Sequence, residues 1–513
     1  MIHRKLFSTS VLIILIPLLS IQYLNAQSRT TDSILKSVDE RIISEHLELL
    51  TEFLSIPNDA NYPEQIEQNL QWLANRFEEL DFETGILKTQ ALPLFFAEKR
   101  IDENLPTILF YMHFDGQPVD SSKWDQENPY DPVIKMKSGN NWVEVDNVDI
   151  ESLDDDWRIF ARSASDDKGP IAMFLSAMQV LQAKGLKSKF NIKVILDSME
   201  EKGSPVLASA VADHKEVLAS DYLVVFDGPM HDSGLPTLLY GVRGITRMRI
   251  EIYGPSKPQH SGHFGNYAPN PVFRAAELLA TMKDEEGKVI IPGFYDGIIL
   301  DKNAKEIMSA VPDDEKGIQQ RAGFAQPEKV GENYQESIQY PSLSVLGIQS
   351  GWVDSKTRTI VPDKVIVEMD IRTVPESDSN RLIELVKKHI ESQGFTILDH
   401  TPDEAEMLTI AKPIYFQANP LMFSFRTPID SEIGNWLREA VYEAHQKEIV
   451  QIRISGGSVP LSFFINELDI PAVLVPLVNP DNNQHSPNEN LRLGNYFDGI
   501  RTIVSILNHP IRE

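Results

Sequence analysis

The chain has 513 residues, too many for one hydrophobic core, and its 42% hydrophobic and 24% charged content is that of an ordinary globular protein. A formal charge of -27, spread along the chain, weighs against a nucleic-acid or anionic-membrane partner. With no cysteine the chain can have no disulfide, thiol nucleophile, thiolate metal site or lipoprotein anchor.

His3-Arg4-Lys5 followed by the apolar run 11–19 (VLIILIPLL) reads as a secretory signal peptide over residues 1–26. Asn25-Ala26 is the expected cleavage point, although Leu24 is bulkier than that position prefers. The run is short for a membrane span, and an uncleaved anchor is the competing reading. Export without disulfides suits a bacterial periplasm or the exterior.

Residues 31–53 and 62–80 have helical apolar spacing and are separated by the Ile56-Pro57-Asn58 break. Strand-like runs then alternate with helices, as in an α/β unit with a mainly parallel sheet. Chemistry stands at the end of each strand. Residues 107–112 run into His113-Phe114-Asp115, residues 191–196 into Asp197-Ser198-Met199-Glu200-Glu201, and residues 222–226 into Asp227-Gly228. Ligands of open α/β sheets sit at the carboxyl ends of strands, so these groups would face one crevice.

Between the first two strands, Ser163-Ala164-Ser165-Asp166-Asp167-Lys168-Gly169-Pro170 places two carboxylates on a turn. It feeds a helix over 171–184, with Pro170 as its natural first residue. Adjacent carboxylates need a positive neighbour, and a metal ion is the strongest candidate. Each segment alone reads as a cap, a surface turn or a helix start. Jointly, chance is the poorer explanation. Imidazole with carboxylates suits zinc, manganese or cobalt, and two neighbouring glutamates can divide metal binding from proton transfer.

Further on, residues 246–253 read as a strand and 271–282 as a helix, while 283–340 has weak periodicity and carries no chemistry. Residues 365–372 (VIVEMDIR) alternate like a half-buried strand, 380–393 are helical, and 395–398 read as the last strand of this region. Residues 431–446 form an amphipathic helix, 471–475 a buried strand and 494–507 the final helix.

His113-x-Asp115, Ser165-Asp166-Asp167-Lys168-Gly169, Glu200-Glu201-x-Gly203-Ser204-Pro205 and Asp227, in this order, resemble the M20 metallopeptidases, closest to their dipeptidase and carnosinase branch. Tyr240-Gly241-Val242-Arg243-Gly244, His260-Ser261-Gly262, Gly456-Gly457-Ser458 and His485 with Asn488-Glu489 extend the resemblance over most of residues 40–510. It departs at Asp197-Ser198-Met199, at Ile454, where the family places an arginine that here stands at 453, and at an acidic insertion over 120–157. That insertion reads as a solvated loop, with a substrate entrance as the alternative.

The resemblance implies an α/β fold in two domains. A mostly parallel-sheet, zinc-peptidase-like catalytic domain covers 27–242 and 427–513, and a smaller α+β lid or dimerisation domain is inserted at 243–426. It also implies an exported hydrolase acting through a water activated by two divalent ions, zinc first, with manganese or cobalt as alternatives. His113 and Asp227 would hold one ion, Glu201 and His485 the other, with Asp166 bridging. Glu200 would be the general base and Asp115 would orient His113. His260, rather than His263, would help hold the oxyanion in a partner subunit, so a homodimer is expected. Thr359, Arg372 and Ser458 would bind substrate, although a structural salt bridge competes as the role of Arg372. The expected substrate is a dipeptide or short peptide with a free C-terminus, and no nucleic acid or membrane is a partner after signal cleavage. The alternatives are an N-acyl amino acid amidohydrolase and a non-catalytic binding protein on the same fold.

Overall fold

Residues 43–145 and 153–511 are described by the computed structural model. The signal-peptide reading lies outside them, as does part of the first expected helix, of which Ile43–Leu54 is described. The chain divides into two units. One comprises residues up to Leu238, Pro428–Val450 and Phe463 onward, and the other Leu239–Thr427 with Gln451–Ser462. The short segment Gln451–Ser462, read above with the C-terminal part of the catalytic domain, thus clusters with the second unit.

In the first unit, Thr107–His113 is buried along nearly its whole length, which a strand can be only if both faces of its sheet are covered. It pairs in parallel with Asn191–Asp197 on one side and Tyr222–Val225 on the other, and Ala472–Leu474 continues the parallel order. Leu94–Lys99 and Glu83–Leu87 add antiparallel strands at one edge. The sheet is therefore mixed, parallel at its centre where the functional loops leave it. The buried helices Lys168–Ala183 and Leu493–Asn508 pack against each other, and Ile43–Leu54 packs on the first of them. Phe174 joins this layer to the sheet, its ring centroid 5.3 Å from Phe110 and 6.1 Å from Phe77.

The acidic insertion is not simply a solvated loop. Val133–Ser138 and Asn141–Glu144 form a hairpin in a four-stranded sheet with Arg158–Phe160 and Asn490–Arg492. Gly139, at φ +63°, supplies the turn. Lys135 and Arg158 lie over the Phe160 and Trp142 rings, so cationic side chains cover apolar surface that the hairpin would otherwise expose. Residues 146–152 lie outside the described set.

The second unit is built on a five-stranded sheet in the order Ser342–Gln349, Lys364–Thr373, Gly244–Tyr253, Pro413–Met422, Thr396–Leu398. Pro271–Ala280 and Ser379–Ser392 bury Leu278, Leu382, Val386 and Ile390 against Ile250, Val367 and Ile371 of the sheet. The strand near 395–398 is not the last. Pro413–Met422 follows it and pairs along most of Gly244–Tyr253. Its two prolines and exposed second half disguise it, and the register shift between Ile245 and Thr246 lies opposite Pro420. Among the described residues no helix is long and apolar enough to cross a membrane.

Candidate metal centre

His113 is the last residue of the central strand, and its loop must pass close to the Ser163 turn. A Cβ on Gly116 would lie 2.3 Å from Ser163 Oγ, so only glycine fits. Asn58, in the break between the first two helices, donates from Nδ2 to Phe114 O at 2.7 Å and to Ser163 Oγ at 2.9 Å. The Ile56-Pro57-Asn58 break thus fastens two functional loops together.

The helix after the carboxylate pair starts at Lys168, with Asp167 at its N-cap, earlier than Pro170 suggests. The Asp166–Asp167 peptide is cis. A Cβ on Gly169 would come 2.1 Å from Ala164 O, which accounts for the glycine of the motif. Asp167 is buried and accepts the His113 N–H at 3.2 Å. Lys168 turns away from the carboxylates. Its Nζ donates to Phe53 O at 2.8 Å and Ile56 O at 2.6 Å and lies 4.4 Å from the Phe53 ring centroid, completing the C-terminal end of the Ile43–Leu54 helix.

With that lysine directed elsewhere, the charge left near the pair is mostly negative. His113, Asp166 and Asp227 form one group whose ligand atoms all lie within 4.8 Å of one another, and Asp166, Glu201 and His485 form a second. Asp166 belongs to both. His113 Nε2 is 2.8 Å from Asp166 Oδ1, while His485 Nε2 is 3.0 Å from Asp166 Oδ2 and 3.1 Å from Glu201 Oε2. Two imidazoles with three carboxylates, the core of them buried, are a donor set suited to divalent ions of the zinc, manganese and cobalt kind.

The electrostatics describe the same need for cations. Burial works against the Asp166 carboxylate, but hydrogen bonds from His113 and His485 outweigh it and hold its pKa well below the usual range. His485 is pushed up to about 10 by its hydrogen bonds to Asp166 and Glu201. Protons on the imidazoles thus balance the carboxylates, and a divalent ion binding there would displace them. Burial raises Asp227 to about 6 and lifts Glu200 well above the ordinary carboxylate range, with Asp166 and Glu201 adding to both shifts and His113 opposing them.

Asp115 is fully buried and faces both halves of the site. Its Oδ1 lies 3.4 Å from His113 Nδ1 and accepts the Glu200 N–H at 3.1 Å, while Oδ2 accepts the Glu201 N–H at 3.2 Å. Gln117 Nε2 donates to Glu201 Oε2 at 2.7 Å. Asp197, the odd residue before the glutamates, serves the fold by accepting from Ser204 Oγ, Tyr111 OH and Met199 N–H.

The remaining expected residues belong to the second unit. His260 is exposed, lies 4.7 Å from His263 between ring centroids with the rings tilted, and accepts the Gly262 N–H at Nδ1. Thr359 is beside it, its carbonyl accepting the Ser261 N–H at 3.0 Å. Arg372 Nη1 donates to Ser458 Oγ at 2.8 Å, with Nε 3.5 Å from Asp370 Oδ2. Arg372 and Ser458 are therefore adjacent, as are His260 and Thr359. Arg453 donates to Gln339 and lies 3.9 Å from Glu376, an architectural position within this unit.

In the sequence Asn58 has the look of a helix break and Gln117 belongs to no motif, so neither signals a place beside the site. Glu489 stood out only through the family resemblance.

Residues 109–509 match the model of peptidase family M20/M25/M40. The chain is 25% identical over 494 residues to the Cys-Gly metallodipeptidase DUG1 of Candida albicans, covering 92% of this chain and 95% of that protein. It is 26% identical over 422 residues to the Beta-Ala-His dipeptidase of Homo sapiens, covering 80% and 76% respectively. Among solved structures, the M20 family metallo-carboxypeptidase Sso-CP2 from Sulfolobus solfataricus superposes with a TM-score of 0.72 at 26% identity, over 91% of this chain and 99% of that one.

Proposed function

The chain belongs to peptidase family M20/M25/M40, and we propose that it is a two-metal dipeptidase, cleaving dipeptides or short peptides at a free C-terminus. The observation that carries this is the pair of donor groups sharing Asp166, with the Glu200 backbone held by Asp115. In this reading His113, Asp166 and Asp227 hold one ion, and Asp166, Glu201 and His485 the other, with zinc first and manganese or cobalt as alternatives. Ions bound there supply Lewis acidity toward water and the scissile carbonyl.

The protein's own groups then do the rest. Glu200, half-buried and with its pKa raised by desolvation, accepts the proton of the attacking water and passes it to the leaving amine. Asp115 fixes the His113 ring and the Glu200–Glu201 backbone. Arg372, assisted by Ser458, takes the terminal carboxylate of the substrate through its guanidinium, and Thr359 completes the grip.

His260 acts as an oxyanion donor toward a partner subunit, and its exposure in the single chain supports that use. A homodimer is further supported by the edge strand Ser342–Gln349. It exposes Val345, Leu346 and Ile348, at 44, 48 and 58%, on a strand that among the described residues has a neighbour on one side of the sheet alone. Export is proposed on the signal-like segment 1–26.

The test is release of amino acid from a panel of dipeptides, N-acyl amino acids and longer peptides by the zinc-loaded protein. Dipeptide turnover supports the reading. Turnover of N-acyl amino acids alone transfers the same chemistry to an amidohydrolase, and no turnover of any of them contradicts it.

A further inference from the structure

Glu489 follows His485 by four residues, is fully buried, and meets four donors. Its Oε2 accepts Arg162 Nη1 at 2.7 Å and the Ser163 N–H at 2.8 Å, while Oε1 accepts the Ser165 N–H at 2.9 Å and the Asp166 N–H at 3.0 Å. Three of these donors are backbone groups of the one turn that carries Asp166. The fourth, Arg162, lies 5.3 Å from the Trp124 ring centroid, and its Nη2 reaches Ser486 O at 3.5 Å. One carboxylate–guanidinium pair therefore fastens both the Asp166 turn and the loop that carries His485. That loop needs fastening, since His485 and Asn488 both sit in the left-handed region, at φ +59° and +61°.

We propose that Glu489 is a positioning residue for the metal centre, aiming Asp166 at both ions at once although it belongs to neither donor group. The inference rests on the two-metal reading above and makes a claim that reading does not. Loss of an ordinary ligand such as His485 removes a donor from one group only. Loss of Glu489 frees the turn of the residue common to both groups, and it leaves a buried arginine and three buried N–H groups without their acceptor. Removing a group that orients a ligand costs roughly 10–100-fold in metal affinity. Here that cost falls on both ions together. Glutamine keeps the shape but turns an amide NH₂ toward donors on one side, so its effect is the milder one.

The experiment is equilibrium dialysis against zinc on wild type, Glu489→Gln, Glu489→Ala and His485→Ala, with the melting temperature of each metal-free protein. The visible spectrum of the cobalt-loaded forms reports ligand geometry. Wild type is expected to bind two ions per chain, Glu489→Gln to weaken both by roughly 10–100-fold with an altered cobalt spectrum, and His485→Ala to weaken one. If Glu489→Ala does not fold, Arg162→Lys keeps a cation beside the carboxylate and is expected to weaken both ions by a smaller factor. Wild-type affinity for both ions in Glu489→Gln and Arg162→Lys overturns the inference, as does a loss confined to one ion. A wild type that binds no zinc overturns the metal reading itself.

Discussion

The Asp115 carboxylate accepts the Glu200 N–H at 3.1 Å on the oxygen that also faces the His113 ring. A residue expected only to orient a histidine therefore also sets the backbone of the proposed base and, through its other oxygen, that of Glu201. Asp115→Asn places an NH₂ where one of these acceptors was needed. Turnover is expected to fall roughly 10–100-fold with weakened zinc binding, read by parallel kinetics and metal titration.

Lys168 shares a motif with Asp166 but serves a different part of the protein. Replacing it by methionine strips the Phe53 and Ile56 carbonyls of their donor, for a loss of about 2 kcal/mol in urea unfolding. The zinc stoichiometry of the folded protein stays at the wild-type value. A variant that keeps wild-type stability but loses zinc would show that Lys168 belongs to the metal centre after all.

That contrast shows how far the sequence can be read. The strands 107–112, 191–196 and 222–226 were visible because buried parallel strands are continuous apolar runs, and ligands cluster where such strands end. The direction of the Lys168 side chain was not visible, because a lysine beside two aspartates pairs with them unless tertiary packing offers something else. The hairpin at 133–144 was hidden by acidic flanks. Its own alternation around Gly139 was the signal, and the charge of the region obscured it. Pro413–Met422 was hidden by its prolines, which a strand interior rarely accepts. Glu489 lay beyond any local reading, since its donors are more than three hundred residues away in sequence.

His46 gives a pH dependence. Burial lowers its pKa from 6.5 to about 4, and neither ring nitrogen has a hydrogen-bond partner among the described residues. Above pH 6.5 the imidazole is neutral in both the folded and the unfolded chain, and its contribution to stability is fully present. As pH falls toward 4 the unfolded chain takes up the proton and the folded chain does not, so stability drops by up to about 3 kcal/mol. Unfolding free energies measured across that window should show a shallower slope in His46→Leu. Equal slopes in the two proteins would exclude His46 as the source.

Gly169 has no room for a side chain, because a Cβ would meet the Ala164 carbonyl. Gly169→Ala displaces the turn that holds Asp166, and a loss of about 2–4 kcal/mol is expected together with weakened binding of both ions. Calorimetry and zinc titration measure the two effects, and a variant with wild-type values for both would show that the turn can yield.

The edge strand offers a test of assembly. Ile348→Lys places a charge on the exposed strand Ser342–Gln349 and is expected to shift the protein to monomer in sedimentation equilibrium. Because His260 is proposed to serve the partner's site, dipeptide turnover should fall in step with dimer content. A monomer with undiminished turnover would remove His260 from the mechanism.

In the proposed mechanism Glu200 moves the proton while five other residues hold the ions. Dipeptide turnover and zinc content of Glu200→Ala, measured on the same samples as wild type, separate these two roles. Two ions per chain are expected in both proteins, with turnover reduced roughly 10²–10⁴-fold in the variant. Turnover close to wild type with both ions bound would contradict this mechanism.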